Sequence, residues 1–140
     1  MSDMQRIRFI SFKKPITGPL SNFDIEKMAV AIPNFRGVFM RDTLPSKINN
    51  FECGIVNLDS SENNGTHWVA YYKNKTHCIY FDSFGLPAPL ELEHYFNQPY
   101  IYQTFQLQDA NDYICGHLCL YVLCGLTKGI SFKNIILSLI

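Results

Sequence analysis

Four residues in a fixed order along the chain could together perform thiol-based hydrolysis. They are His67, Asp82, Gln108 and Cys115. A histidine can take the proton of a thiol, a carboxylate can orient the histidine ring, and an amide can hold the oxyanion that forms when a thiolate attacks a carbonyl. We therefore interpret Cys115 as a candidate nucleophile, His67 as its base, Asp82 as the orienting acid and Gln108 as an oxyanion donor.

The strongest support for this hypothesis is the position of Cys115 at the start of a predicted helix. The apolar pattern of Tyr113 to Leu126 predicts a helix that is buried nearly all round, as a central core helix is. A cysteine at its start lies beside unpaired backbone N–H groups and the positive end of the helix dipole, which lower a thiol pKa below about 8.5. Asn111 or Asp112 could cap this helix, and Gly116 leaves room beside the thiolate for a substrate carbonyl.

A lone cysteine is more often a small buried apolar residue than a nucleophile. We predict that structural role for the other four cysteines, which are Cys53, Cys78, Cys119 and Cys124. The spacing of Cys115, His117 and Cys119 also suggests zinc, but residue 117 lies off the helix face that the two cysteines share. No Cys-x-x-Cys pair is present to complete four ligands, so we predict no metal site and no cofactor.

A predicted hairpin supplies the geometry of the histidine and the acid. Thr66–Lys73 and Thr76–Ser83 are rich in β-branched and aromatic residues, and Asn74-Lys75 lies between them as a two-residue turn. Counting outward from this turn places His67 opposite Asp82, with Cβ atoms about 4.5–5.5 Å apart. The alternative is a cross-strand pair that only stabilises the sheet.

The pattern of predicted helices and strands indicates that residues 1–140 form one α+β domain. Gln108 follows a predicted strand, Tyr100 to Leu107, and lies seven residues before Cys115, which could bring its amide back over the helix start. Without the other three residues it would be read as a surface glutamine. The remaining predicted elements are a helix capped by Ser21 and Asp24 and ended by Pro33, a short strand within Phe35–Pro45, a strand at Cys53–Leu58, and helices at Pro89–Phe96 and Phe132–Leu139.

Composition excludes several other classes of protein. The 140 residues include twelve basic and twelve acidic side chains, which cancel, so nothing indicates a basic nucleic-acid binder. The five cysteines are an odd number and the first residues have no apolar leader, so we expect no disulfides and an intracellular, reducing setting. The longest apolar run, Leu118 to Leu126, is too short to span a membrane.

The pattern His67-Trp68, Asp82, Gln108 and Cys115-Gly116 resembles that of the adenain-type cysteine proteases. These are maturation proteases of adenoviruses and of related viruses and virus-like DNA transposons, the Polintons and adintoviruses. Two sequence motifs are most similar to those of the latter group, namely Gly65-Thr66-His67-Trp68 and Tyr80-Phe81-Asp82-Ser83-Phe84-Gly85. Cellular proteases of ubiquitin-like proteins have the same order. The resemblance covers roughly residues 50 to 126, and more loosely Gly37 to Pro45.

The resemblance implies a mixed β-sheet flanked by helices, with the nucleophile Cys115 at the N-terminus of a buried central helix. It also implies His67 as base, Asp82 as third member, Gln108 as oxyanion donor, and Trp68 beside the site where substrate binds. Adenain has Glu where this chain has Asp82. The implied substrates are viral structural precursors cleaved after small residues, in a Gly-Gly or Gly-x-Gly context.

Adenain is stimulated by DNA and by a viral peptide. An activating peptide is therefore an expected partner here, whereas the zero net charge does not indicate DNA. We expect a monomer in the nucleus or cytoplasm of the host or packaged in the virion, with no membrane partner. Two rivals stay open. One is a protease that deconjugates ubiquitin-like proteins by the same chemistry, and the other is a non-catalytic binding module with the same fold.

Overall fold

The core of the protein is a four-stranded mixed sheet with strand order β1-β2-β3-β4. A computed structural model describes residues 19–59, 67–107 and 114–140. β1 pairs parallel with β2, and the β2–β3 and β3–β4 pairs are antiparallel. The strands are β1 (Phe35–Met40), β2 (Glu52–Asn57), β3 (Trp68–Lys73) and β4 (Cys78–Phe81).

Helices cover both faces of this sheet, which confirms the α+β class. The helices in the described ranges are α1 (Asn22–Met28), α2 (Leu90–Phe96), α3 (Cys115–Thr127) and α4 (Phe132–Ser138). Apolar residues of α1, α3 and α4 pack on the face that carries Ile55 and Ala70. Leu92 and Phe96 of α2 pack on the opposite face. Strands buried on both sides explain why both faces of the predicted hairpin are apolar.

The predicted cap of the first helix is confirmed. Ser21 and Asp24 form a reciprocal capping box, in which each side chain accepts a hydrogen bond from the backbone N–H of the other. The α-helix ends at Met28 and continues as a 3-10 turn over Ala29–Ala31. Ile25 is fully buried, so this short helix is anchored by its apolar face.

The hairpin forms, but its predicted register is wrong by two residues. Lys73 pairs with Cys78 and Ala70 pairs with Phe81, so His67 is not directly opposite Asp82. The reason lies in Asn74, which precedes the loop and does not form part of it: its N–H donates to the carbonyl of His77, and its side-chain oxygen accepts from the N–H groups of Thr76 and His77. A shift of two keeps every side chain on its predicted face.

The predicted strand at Tyr100–Leu107 is also wrong. The backbone of this segment makes an isolated parallel bridge between Ile101 and Ile79 and, among the described residues, one further hydrogen bond, from Leu107 N–H to the carbonyl of Ser83. Beyond β4 the carbonyl of Asp82 accepts from Gly85 N–H and from the side chain of Gln103. Because β4 ends at Phe81 and the chain turns after it, regular pairing does not continue along the segment.

Candidate active site

Cys115 is the first residue of α3, as the sequence predicts for a buried helix that opens on a cysteine. Its side chain is 8% exposed. The backbone N–H of Trp68 donates to its sulfur over 3.5 Å, and the N–H of Gly116 also hydrogen-bonds it. Burial alone would raise the pKa of the Cys115 thiol, but hydrogen bonds with His67 and with these two N–H groups bring the pKa below its ordinary value.

His67 lies between the thiol and a carboxylate. Its Nε2 is 2.7 Å from Oδ1 of Asp82, and its side chain also hydrogen-bonds that of Cys115. Since Nε2 faces the carboxylate, Nδ1 is the ring nitrogen left for the sulfur. Burial disfavours the charged ring, yet the hydrogen bonds with Asp82 and Cys115 raise the pKa of His67 to about 9. The opposite shifts of His67 and Cys115 favour an imidazolium–thiolate pair.

A tight turn after β4 fixes the carboxylate of Asp82. The N–H of Phe84 donates over 2.8 Å to Oδ1 of Asp82, the oxygen that also contacts His67. The N–H of Gly85, a residue with a φ of +75°, donates over 2.8 Å to the Asp82 carbonyl. Asp82 itself is 1% exposed, so the carboxylate is held by protein groups.

Two residues that the sequence analysis did not single out contact this cluster. The ring of Phe84 stacks on the imidazole of His67, with centroids 4.4 Å apart and planes 17° from parallel. The amide of Gln103 donates to the carbonyl of Asp82 from a position that is 6% exposed. The contact of Phe84 could have been predicted, because an Asp side chain in a turn often accepts a hydrogen bond from the N–H two residues later. No sequence pattern predicts the contact of Gln103.

Trp68 and Gly116 pack together beside the thiol. The Trp68 indole N–H donates to the carbonyl of Leu20 over 3.0 Å. A Cβ on Gly116 would lie 3.3 Å from both Leu20 Cδ1 and Trp68 Cδ1, so the missing side chain allows close packing at the start of α3. A cavity of about 360 Å³ adjoins Trp68; its lining is Leu20, Ser21, Asn22, Val38, Phe39, Met40, Thr43 and Trp68.

The other four cysteines are buried, and burial keeps three of them in the neutral thiol form. All five cysteines are free thiols. Burial raises the pKa of Cys53 and of Cys78 to about 12, and it raises the pKa of Cys119 well above the ordinary value. Cys115 is thus set apart from these three by the direction of its pKa shift.

Gln108, Asn111 and Asp112 lie outside the described residues, so the predicted oxyanion donor and helix caps stay predictions. Ile114, which precedes α3, makes no side-chain cap. In the described ranges, no three His, Cys, Asp or Glu side chains are grouped to hold a metal ion. Within the same ranges, every helix is too short or too polar to cross a bilayer.

The fold is that of a viral cysteine protease. Two crystal structures of the ASFV pS273R protease, one with selenomethionine, match this chain with TM-scores of 0.59 and 0.58. Sequence identity is 18% and 16%, and the matches cover 86% and 91% of this chain. That protease has a fold related to adenain and to the ubiquitin-like-protein proteases, so the resemblance drawn from the sequence is confirmed at the level of the fold.

The chain spans 62% and 64% of the length of those two structures. No protein-family model matches the sequence. No curated protein matches it either. Because the two identities are low, the comparison establishes the architecture, and the activity must be argued from the site.

Proposed function

We propose that this protein is a cysteine endopeptidase in which Cys115 attacks the substrate carbonyl and His67 is its base. The observation that carries the proposal is the chain of contacts from the Cys115 thiol through the His67 ring to the Asp82 carboxylate, with 2.7 Å between ring and carboxylate. A base that is oriented by a third group beside a nucleophile is the arrangement that nucleophilic catalysis requires.

In this mechanism the thiol proton resides on His67 before substrate binds. The Cys115 thiolate attacks the peptide carbonyl and forms a tetrahedral oxyanion. His67 then gives its proton to the leaving amine, the C–N bond breaks, and a thioester remains. A water molecule, deprotonated by His67, attacks the thioester and releases the acid product and the thiol.

The oxyanion is held by the backbone N–H of Cys115 and, by resemblance, by the amide of Gln108. The first N–H groups of α3 have no acceptor within the helix, which supports the use of the Cys115 N–H. The position of Gln108 in this role rests on the sequence pattern alone.

Substrates are polypeptides cleaved after small residues, and we infer that they are structural precursors of a virus or virus-like element. The buried packing of Trp68, Gly116 and Leu20 supports a narrow approach to the sulfur. The cavity of about 360 Å³ that adjoins Trp68 supports binding of part of the substrate chain there.

The test compares short Gly-Gly peptides with a folded ubiquitin-like conjugate, using the wild-type protein and Cys115→Ala. We expect peptide cleavage that Cys115→Ala abolishes, with thermal unfolding little changed because Ala suits the start of a helix. The matched control is Cys124→Ala, in the same helix, which should keep activity. Cleavage of the conjugate but not of the peptides would show that the protein is a deconjugating protease and not an endopeptidase.

Labelling of the cysteine thiols distinguishes a protein with an activated Cys115 from a non-catalytic binding module. With limiting thiol reagent near pH 6, Cys115 should react first among the five cysteines, and His67→Ala should slow this reaction. Slow and uniform labelling, together with no cleavage of either substrate, would support the binding module and overturn the proposal.

A further inference from the structure

The face of the His67 ring is covered by an aromatic side chain that the hydrolytic mechanism does not use. Phe84 lies parallel to the imidazole at 4.4 Å between centroids. The β3–β4 ladder ends at the Ala70–Phe81 pair, and Phe84 lies in the turn that follows β4. The backbone of this turn is held by hydrogen bonds from the N–H groups of Phe84 and Gly85 to Asp82, so the position from which the phenyl ring reaches the imidazole is fixed.

Phe84 holds the histidine through two separate groups. Its ring lies on the imidazole, and its backbone N–H donates over 2.8 Å to Oδ1 of Asp82, the atom that hydrogen-bonds His67. The turn that presents both groups is closed by Gly85, whose N–H bonds the Asp82 carbonyl. One residue thus fixes the edge of the imidazole through Asp82 and the face of the imidazole through its own ring.

We propose that Phe84 is a positioning residue that sets the plane of the His67 ring and favours its charged form beside Cys115. This inference rests on the proposed function, since it takes His67 and Cys115 as the reacting pair. Two contacts at the ring edge do not prevent rocking of the imidazole plane, and a stacked neighbour does. The face of a phenyl ring carries negative electrostatic potential, which attracts a cation above it when water is excluded.

Among the described residues, the charged groups that face the imidazole come from two elements. Asp82 approaches from the turn after β4, and Cys115 approaches from α3. Cys119, one helical turn beyond Cys115, is a neutral thiol because burial raises its pKa. Phe84 adds no charge, so removing its ring changes the electrostatics of the pair without removing an ion from the site.

The experiment measures the rate of Cys115 alkylation by a limiting neutral reagent as a function of pH, and the pKa of His67 by NMR. In Phe84→Leu we expect alkylation at pH 6 to fall about tenfold, which is one unit of pKa. The Cys115 pKa should rise and the His67 pKa should fall, narrowing the pH range of the ion pair from both sides. Phe84→Tyr keeps the stack and should keep the profile.

Phe51→Leu is the matched control, because Phe51 is 50% exposed and its ring faces the ammonium group of Lys75 in the hairpin loop, at the opposite end of the hairpin from His67. If Phe84→Leu does not fold, replacement of Phe84 by pentafluorophenylalanine keeps the shape and reverses the charge distribution of the ring. It should produce the same shift of the His67 pKa. Unchanged pH profiles in the folded Leu and pentafluoro variants would overturn the inference.

This readout is independent of peptide cleavage. A protein that shows the shifted profiles but cleaves no peptide would refute the proposed endopeptidase while leaving the role of Phe84 intact. A protein that cleaves peptides with a profile indifferent to Phe84 would refute the inference alone.

Discussion

His67 and Asp82 share a 2.7 Å hydrogen bond although neither residue belongs to the β3–β4 ladder, which ends at the Ala70–Phe81 pair. His67 directly precedes β3 and Asp82 directly follows β4, so the two residues lie at the same end of the hairpin. The turn after β4 presents the ring of Phe84 to the imidazole, so the acid binds the ring edge while the phenyl covers the ring face.

The first prediction concerns the acid. Asp82→Asn should reduce peptide cleavage less than His67→Ala does, since the base itself remains, and His67→Ala should cost about 100-fold to 10,000-fold. The asparagine oxygen can still accept the Phe84 N–H, so the turn should persist. Cleavage rates and unfolding curves of both variants provide the measurement. An Asp82→Asn rate equal to that of the wild type would show that the carboxylate does not orient the base.

The sequence predicts those features of the site that depend on neighbouring residues, and it does not predict those that depend on contacts between distant segments. The order of His67, Asp82 and Cys115 and the start of the helix at Cys115 follow from local patterns, and the structure places all three together. The register of the hairpin does not follow from local patterns, because Asn74 can lie inside the turn or can precede the turn and cap it. The choice between these two positions shifts the strand pairing by two residues.

Contacts between segments that are distant in the sequence could not be predicted from it either. Gln103 reaches the carbonyl of Asp82 from a segment that alternates like a strand, and such a bond depends on the path of the chain. The carboxylate of Glu52 is a further example, since its burial beneath tyrosines of β3 and α2 follows from packing between distant elements. Periodicity marks which face a residue occupies and does not indicate its partners.

The second prediction tests the oxyanion donor. Gln108→Ala should lower the rate of peptide cleavage about 100-fold, because one preorganised donor to the oxyanion is lost. Alkylation of Cys115 should be unchanged, since no oxyanion forms in that reaction. Thr104→Ala, four residues away and exposed, is the control and should cleave at the wild-type rate. Equal losses in cleavage and alkylation would indicate a structural role for Gln108.

The third prediction concerns pH and stability in Cys115→Ala. Burial lowers the pKa of His67, but Asp82 still hydrogen-bonds the charged ring, and we expect the folded His67 pKa to stay above its ordinary value of 6.5. Below pH 6.5 both states hold the proton and the stabilisation is complete. As pH rises the unfolded chain loses the proton first, so the free energy of unfolding should fall until the folded pKa is passed. In the wild-type protein the lowered pKa of Cys115 acts in the opposite sense up to about 9 and offsets this slope.

Denaturant titrations between pH 6 and pH 9 measure that slope. The double variant Cys115→Ala/His67→Gln has no imidazole at this position and should lose the added pH dependence. If both variants show the same slope, His67 is not held as a cation in the folded protein.

The fourth prediction concerns Gly85. Its φ of +75° disfavours any side chain, and a Cβ there would lie 2.5 Å from the backbone of Phe105. Gly85→Ala should therefore destabilise the protein and displace the turn that carries Asp82 and Phe84. Gly129→Ala is a matched control, because Gly129 has a φ of +86° and open space around it. Its cost should be limited to the backbone term of about 1–2 kcal/mol.

Thermal unfolding and Cys115 alkylation at pH 6 distinguish the two glycines. Gly85→Ala should lower both the melting temperature and the alkylation rate, whereas Gly129→Ala should lower only the former. Equal alkylation rates in the two variants would show that the turn tolerates displacement.

The fifth prediction concerns a polar cluster away from the site. Glu52 is 1% exposed and accepts hydrogen bonds from Tyr71 at 2.5 Å, from Tyr95, and from Arg36 at 2.8 Å. Burial opposes the charge, but these donors and the Asn49 N–H lower the Glu52 pKa. The resulting stabilisation is complete above the ordinary value of 4.5 and is lost as pH falls through the lowered pKa.

Each carboxylate oxygen of Glu52 accepts two hydrogen bonds. Glu52→Gln removes the charge and replaces one of these oxygens by an NH2 group that cannot accept them, so it should lower the free energy of unfolding at pH 7 by about 1–3 kcal/mol. Denaturant titration at pH 7 and pH 4 provides the measurement, and the difference between variant and wild type should shrink in acid. Tyr95→Phe removes a single hydrogen bond from the same carboxylate and should cost less. Cys115 alkylation should be unaffected in both, because the cluster acts on the sheet and not on the thiol. A variant that kept full stability would mean that the buried carboxylate is already neutral at pH 7.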